Sequence, residues 1–164
     1  MKIRRYACAA LTVIPAVVYA QKVNVDSDPS APFATYKTYS WTPGAPSFTS
    51  LTEQRIHEGV NAQLQGKGLT PAQKDPNLYV ASFVLTRAQP QIIANGFGPW
   101  GLGGGFATVE TYLQGTLIVD LYDAATRKMV WRGVATAVAS DKPSKNTQKI
   151  DKALATMFER YPPR

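Results

Sequence analysis

Hydrophobic and polar positions along the chain change period several times, and each change marks an element. The first alternation is short, Val23-Asn24-Val25, and a proline-rich turn at residues 28–32 leads to Tyr36-Lys37-Thr38-Tyr39-Ser40-Trp41, where Tyr39 and Trp41 share a face. Thr42-Pro43-Gly44-Ala45-Pro46 ends this strand, because proline offers no ladder donor and Pro-Gly favours a turn. The period then lengthens. Ser50 and Glu53 form a capping box, Ile56, Val60 and Leu64 recur at helical spacing, and Gly66 and Gly68 offer a left-handed stop, so a helix is predicted between them. Gly59 inside it lowers its propensity.

Residues 78–86, Leu-Tyr-Val-Ala-Ser-Phe-Val-Leu-Thr, are aromatic and β-branched and predict a buried central strand. Residues 94–106 are so rich in glycine that a mobile loop is expected. Strict alternation resumes with Val109, Thr111, Leu113, Leu117, Val119 and Leu121 on one face and Glu110, Tyr112, Gln114, Thr116 and Asp120 on the other. A turn at 123–128 and a return at 129–138 complete a long antiparallel hairpin. Last comes an amphipathic helix over residues 144–161, with Ile150, Ala153, Leu154, Met157 and Tyr161 along one stripe and Lys145, Lys149 and Lys152 opposite. Pro162 and Pro163 stop it.

The predicted order is therefore β-β-α-β-β-β-α. Two helices with one apolar stripe each are best satisfied by an α+β, two-layer domain in which both cover one face of an antiparallel sheet. The other face, with Tyr112, Thr116 and Asp120, is then open to solvent or to a partner.

Residues 1–20 stand apart from this pattern. A basic head (Lys2, Arg4, Arg5), an apolar stretch interrupted by Pro15, and small residues at Val18 and Ala20 make a secretory signal peptide cut after Ala20, leaving residues 21–164 as one domain. The stretch is too short for a membrane-spanning helix, which takes about 20 apolar residues. Cys8 lies at its beginning, where no lipidation signal places its cysteine, and the Arg4-Arg5 pair lacks the polar residue expected before a twin-arginine core. A periplasmic or secreted protein without a lipid anchor is expected.

Removing residues 1–20 changes the composition. They carry three of the 18 basic residues and none of the 11 acidic ones, so a net charge of +7 falls to +4. That excess is modest and selects no ligand. The only cysteine leaves as well, which excludes a disulfide, a thiol nucleophile and a thiolate metal site from the remaining chain.

No catalytic, cofactor-binding or metal-binding constellation emerges from the motifs. Gly96-Phe97-Gly98-Pro99-Trp100-Gly101 matches the dinucleotide fingerprint, but glycines and a strand follow where a helix must meet the pyrophosphate. Asp26, Asp28 and Ser30 imitate a calcium loop, yet Ala31 and Lys37 stand where glycine and glutamate belong. These residues are read as turn caps. His57, with Glu53 one turn earlier, is the single candidate general base. It supports a hydrolase of unrecognised type as a rival reading, without a visible nucleophile.

Partner contact is the better reading. Phe97, Trp100 and Phe106 are large rings among glycines, and the Lys145, Lys149 and Lys152 stripe suits an anionic envelope polymer or an envelope protein. Nucleic acid is not expected of an exported chain without a nucleic-acid motif. A further alternative is a structural subunit joined through a strand edge, and the pattern leaves monomer and oligomer open.

Val23-Asn24-Val25-Asp26, residues 33–41, the run at 115–123, Val130-Trp131-Arg132-Gly133 and Tyr161-Pro162-Pro163 together resemble the bacterial domain of unknown function 4136. The resemblance implies a small envelope protein, often a lipoprotein, with a glycine- and aromatic-rich central connection. It implies no reaction and carries over no catalytic residue.

Overall fold

The computed structural model describes residues 21–42, 50–95 and 106–163. The signal-like residues 1–20 and the Gly-rich residues 96–105 lie outside them. Six strands form one sheet: β1 (Lys22–Ser27), β2 (Thr38–Trp41), β3 (Thr70–Pro71), β4 (Leu78–Asn95), β5 (Phe106–Asp123) and β6 (Met129–Val138). Two helices, α1 (Ser50–Gly66) and α2 (Pro143–Phe158), follow β2 and β6. Among the described residues no helix is long and apolar enough to cross a membrane.

The strand order is β1-β6-β5-β4-β2-β3. The α+β class is as the periodicity indicates, but the sheet is mixed, not antiparallel: β2 runs parallel to both β4 and β3, while β1, β6, β5 and β4 alternate in direction. The cause is α1. A helix between two strands returns the chain to the end where the first strand began, so the next strand to join must run parallel to it. The two-residue β3 is an addition to the predicted order; it is too short to leave a period in the sequence.

Both helices lie on one face. Leu78, Val80, Val119, Leu121 and Trp131 from the sheet meet Ile56, Val60 and Leu64 of α1 and Ala153, Leu154, Met157 and Phe158 of α2, all buried. Gly59, unfavourable for helix formation, is what lets the helices approach: a Cβ there would lie 2.6 Å from Leu154 Cδ1. Gly68 ends the turn after α1 at φ +85°, and the Leu69 amide donates back to the Leu64 carbonyl at 3.1 Å.

The densest packing surrounds Trp131. Its ring lies 5.0 Å from Phe158 and 5.8 Å, edge-on, from Tyr161, which meets Phe33 at 5.8 Å in turn. Offset and edge contacts of this kind suit the charge distribution of aromatic rings. Tyr161 falls on the predicted stripe but lies beyond the end of α2, folded under it.

Two stability predictions follow from this cluster. A Cβ on Gly133 would sit 2.8 Å from both Met157 Sδ and Trp131 Cη2. Gly133→Val is therefore expected to cost about 1–3 kcal/mol in urea unfolding, the range for overpacked cores. Burial pushes the Tyr161 hydroxyl up to about 12, and it finds no hydrogen-bond partner among the described residues. An unfolded tyrosine ionises near pH ~10, so the native chain keeps a proton that the unfolded chain releases, and stability falls as pH rises above about 10. Tyr161→Phe should leave neutral-pH stability unchanged or higher and flatten that alkaline decline; a decline as steep as wild type would refute the assignment.

Candidate functional site

β4 and β5 are 18 residues each and pair along their whole length. Their neighbours stop early: the β2 register ends at Trp41 opposite Val80, and β6 ends at Val138 opposite Gln114. Beyond Arg87 and Gln114 the two strands therefore continue as a two-stranded arm, about 25 Å long at ~3.3 Å per residue.

The period-2 alternation continues into the arm while the helices do not. Ala88, Pro90 and Ile92 on β4 and Val109, Thr111 and Leu113 on β5 share the face that the helices cover nearer the body. Ile92 lies opposite Val109, and they are 72% and 62% exposed; Leu113 is 53% exposed. The reverse face carries Arg87, Gln89, Gln91, Glu110, Tyr112 and Gln114. No residue from Ala88 through Val109 is charged.

Pro90 shows why the strand outruns its sequence signal. The Val80 carbonyl accepts from the Thr42 amide at 2.8 Å, so even-numbered β4 residues direct their backbone away from β5. Pro90 shares that direction, and its missing N–H falls on an edge with no paired strand among the described residues. Pairing with β5 carries residues 87–95, where Gln89, Pro90 and Gln91 have little strand propensity of their own, and it puts Ala94, Asn95 and Phe106, the ends of the expected loop, into the ladder.

A groove opens beside the base of this arm, between the first turns of α1 and α2 and the sheet, with a volume of about 470 Å³. Its depth follows from small side chains. On the helix-facing side β6 reads Trp131, Gly133, Ala135 and Ala137, and β5 places Gly115 opposite Ala137. Where Trp131 fills the space the layers close; around Gly115 and Ala137 they do not. Leu51, Ile56, Val84, Leu117, Ile150 and Ala153 supply apolar walls. Arg55 and Lys149 are its charged residues, and no carboxylate lines it.

The predicted contact residues are dispersed. Phe97 and Trp100 lie outside the described residues, and Phe106 is described only as the backbone that opens β5 opposite Asn95. Lys145 and Lys152 are exposed on α2. Lys149 is not part of a free stripe with them: its ammonium donates to the Val138 carbonyl at 2.7 Å, and its own carbonyl accepts from the Gln21 amide at 2.8 Å. A long side chain on the margin of a helix reaches the unpaired end of a strand as readily as it reaches water.

His57 stacks on Trp41, with ring centroids 3.9 Å apart and planes 13° from parallel. Asn61 Oδ1 accepts from Tyr39 Oη at 3.0 Å and from Trp41 Nε1 at 2.9 Å, fixing the ring beneath it. Among the described residues no hydrogen bond joins His57 to Glu53, and no cluster of three His, Cys, Asp or Glu side chains is placed to hold a metal. Asp28, from the calcium-like run, accepts from the Ser30 amide and hydroxyl at 2.8 and 2.6 Å, and these bonds hold its carboxyl below the usual range.

Asp120 is the buried charge that the alternation does not reveal. It sits on the face without helices, yet its side chain is fully buried. Arg132, across the ladder on β6, donates Nε to Oδ1 at 2.7 Å and Nη2 to Oδ2 at 2.6 Å, and Tyr122 Oη donates to Oδ2 at 3.2 Å. This bidentate pair satisfies the carboxylate, so Asp120 is not available to a partner as its place in the pattern suggests.

The fold and the groove describe an α+β module whose sheet extends past its helices. The chain belongs to the family described as domain of unknown function (DUF4136), which matches residues 23–163. No curated protein is significantly similar to it in sequence. Among solved structures, a PDZ domain protein from Parabacteroides distasonis is similar at 18% identity and a TM-score of 0.58. That match covers 88% of this chain and 35% of the other, so this chain spans about a third of that protein's length. A PelC dodecamer from Paraburkholderia phytofirmans is similar at 14% identity and a TM-score of 0.50, covering 85% and 99%. At these identities the likeness concerns the fold alone.

The ion pair makes an asymmetric prediction. Arg132 is 42% exposed while Asp120 is fully buried. Arg132→Ala strands a buried carboxylate and is expected to cost about 3–5 kcal/mol in urea unfolding. Asp120→Ala leaves an arginine that can turn to water and should cost less. Replacing the pair together, D120L with R132M, should recover most of the loss; equal costs for the two single variants would contradict the burial argument.

Proposed function

We propose that this chain is a non-enzymatic binding or accessory module of the bacterial cell envelope, and that its contact surface is the arm and the end of the sheet from which the arm projects. One observation carries the reading. Of six large hydrophobic residues exposed among those described, three, Ile92, Val109 and Leu113, stand together on one face of the arm. Scattered exposed leucines are ordinary, whereas a cluster with polar surroundings marks a docking surface.

The envelope is supported by the signal-like residues 1–20. Partner contact rather than catalysis is supported by His57, which is engaged in packing on Trp41. A structural subunit joined through a strand edge keeps one specific observation in its favour: beyond Val80 no described strand pairs with the outer edge of β4. Such an edge is a template for an added strand. The PelC relative in fold was solved as a dodecamer, which gives assembly a place beside docking.

Crosslinking in intact envelopes tests the reading. Ile92→Asp and Val109→Asp change exposed side chains, so each should leave stability within about 0.5 kcal/mol of wild type. Each is expected to abolish a specific crosslinked species that wild type forms. If wild type forms none, or if both variants retain it, the arm is not the contact surface.

A further inference from the structure

We infer that the groove between α1, α2 and the sheet is a binding site for a single acyl chain bearing an anionic headgroup. The site is separate from the apolar face of the arm and does not depend on that face as a docking surface.

The space itself is the first argument. Toward the other end of the same two layers, Leu78, Val80, Leu121, Trp131 and Phe158 fill the gap between sheet and helices and are at most 1% exposed. At the groove the sheet offers Gly115, Ala135 and Ala137, and the helices offer Ile56, Ile150 and Ala153. The resulting 470 Å³ falls within the roughly 300–1,000 Å³ of small-molecule sites. Interiors otherwise pack to crystal-like density, so an opening of this size with aliphatic walls suits a flexible aliphatic occupant.

Charge supplies the headgroup. The lining holds two cations and no carboxylate. Arg55 has neither a hydrogen bond nor an ion pair among the described residues, which leaves its planar fork of donors available for a carboxylate or phosphate. Lys149 donates one of its three N–H groups to Val138, which holds the ammonium at the groove, and two remain. A neutral chain would find the walls but leave both cations without a counter-charge. A fatty carboxylate and an anionic lysophospholipid share the required chemistry.

The decisive variant fills the space. A Cβ built on Gly115 meets nothing nearer than the Ala137 carbonyl oxygen at 3.9 Å, so the backbone there accepts a side chain, and that of Gly115→Leu is directed to the helix-facing side where the groove lies. Ala137→Leu reaches the same space from β6 and serves if the first variant misfolds. Native mass spectrometry and fluorescence titration would use laurate, myristate, lysophosphatidylglycerol and zwitterionic lysophosphatidylcholine, each below its micelle concentration.

Wild type is expected to bind the anionic probes at one per chain, with about tenfold tighter binding for myristate than for laurate. Gly115→Leu should unfold at the same or a higher denaturant concentration and lose binding. Arg55→Gln should weaken anionic probes by about tenfold and the zwitterionic probe little. Binding of laurate and myristate alone would support a fatty carboxylate, and binding of lysophosphatidylglycerol alone a phospholipid. Three results would overturn the inference: no binding by wild type, undiminished binding by a stable Gly115→Leu, or protection of the groove only at concentrations where the chain self-associates, which would make a second copy the occupant.

Discussion

A β-strand advances about 3.3 Å per residue and an α-helix 1.5 Å, and this mismatch shapes most of what is unusual here. Strands of 18 residues span about 60 Å, while helices of 17 and 16 residues span about 25 Å. Two helices laid on one face can therefore cover only part of β4 and β5. The apolar alternation nevertheless runs on past the cover, from Leu117, Val119 and Leu121 in the core to Leu113 and Val109 in water. Trimming the strands or polarising their outer half would have removed that surface. The sequence does neither, and it leaves the same stretch free of charge from Ala88 through Val109.

The same layers close at one end and open at the other because side-chain volume falls along β6. Trp131 needs the room that Gly133 leaves, and Met157, Phe158 and Tyr161 close around it. Further on, Ala135 and Ala137 offer only a methyl group each to the helices, and both line the groove. The aromatic cluster anchors one end of α2, while Lys149 ties its other half to the end of β6 and to Gln21. A helix fixed at both ends over a tapering floor leaves a groove instead of collapsing onto it.

How much of this was legible from sequence depends on how local each cause is. The stripes Ile56, Val60, Leu64 and Ile150, Ala153, Leu154, Met157 announced both helices, because a helix's buried face is written in its own period. The Val109–Leu121 alternation was equally plain, but alternation records which way side chains point and not whether anything covers them. Residues 87–93 fall outside every predicted element because Gln89, Pro90 and Gln91 have little strand propensity, and only the β5 ladder makes them a strand. The parallel pairing of β2 rests on a crossover, and the groove on small residues of two strands meeting two helix starts; neither leaves a mark in any one segment. The Ala135-x-Ala137 spacing was the one available hint, and it needed the volume of the facing helices to mean anything.

Asp120 and Arg55 show the same limit in charge. Both are single ionisable residues whose local patterns place them at a surface. Asp120 meets a bidentate arginine one strand away, is satisfied, and belongs to the architecture of the sheet. Arg55 faces a space with no carboxylate in it and is satisfied by nothing among the described residues. A half-buried guanidinium without a protein partner keeps its donors on water and can exchange that water for an anion. That contrast between a closed ion pair and an open cation is what separates the structural polar residues of this fold from those with a ligand still to meet.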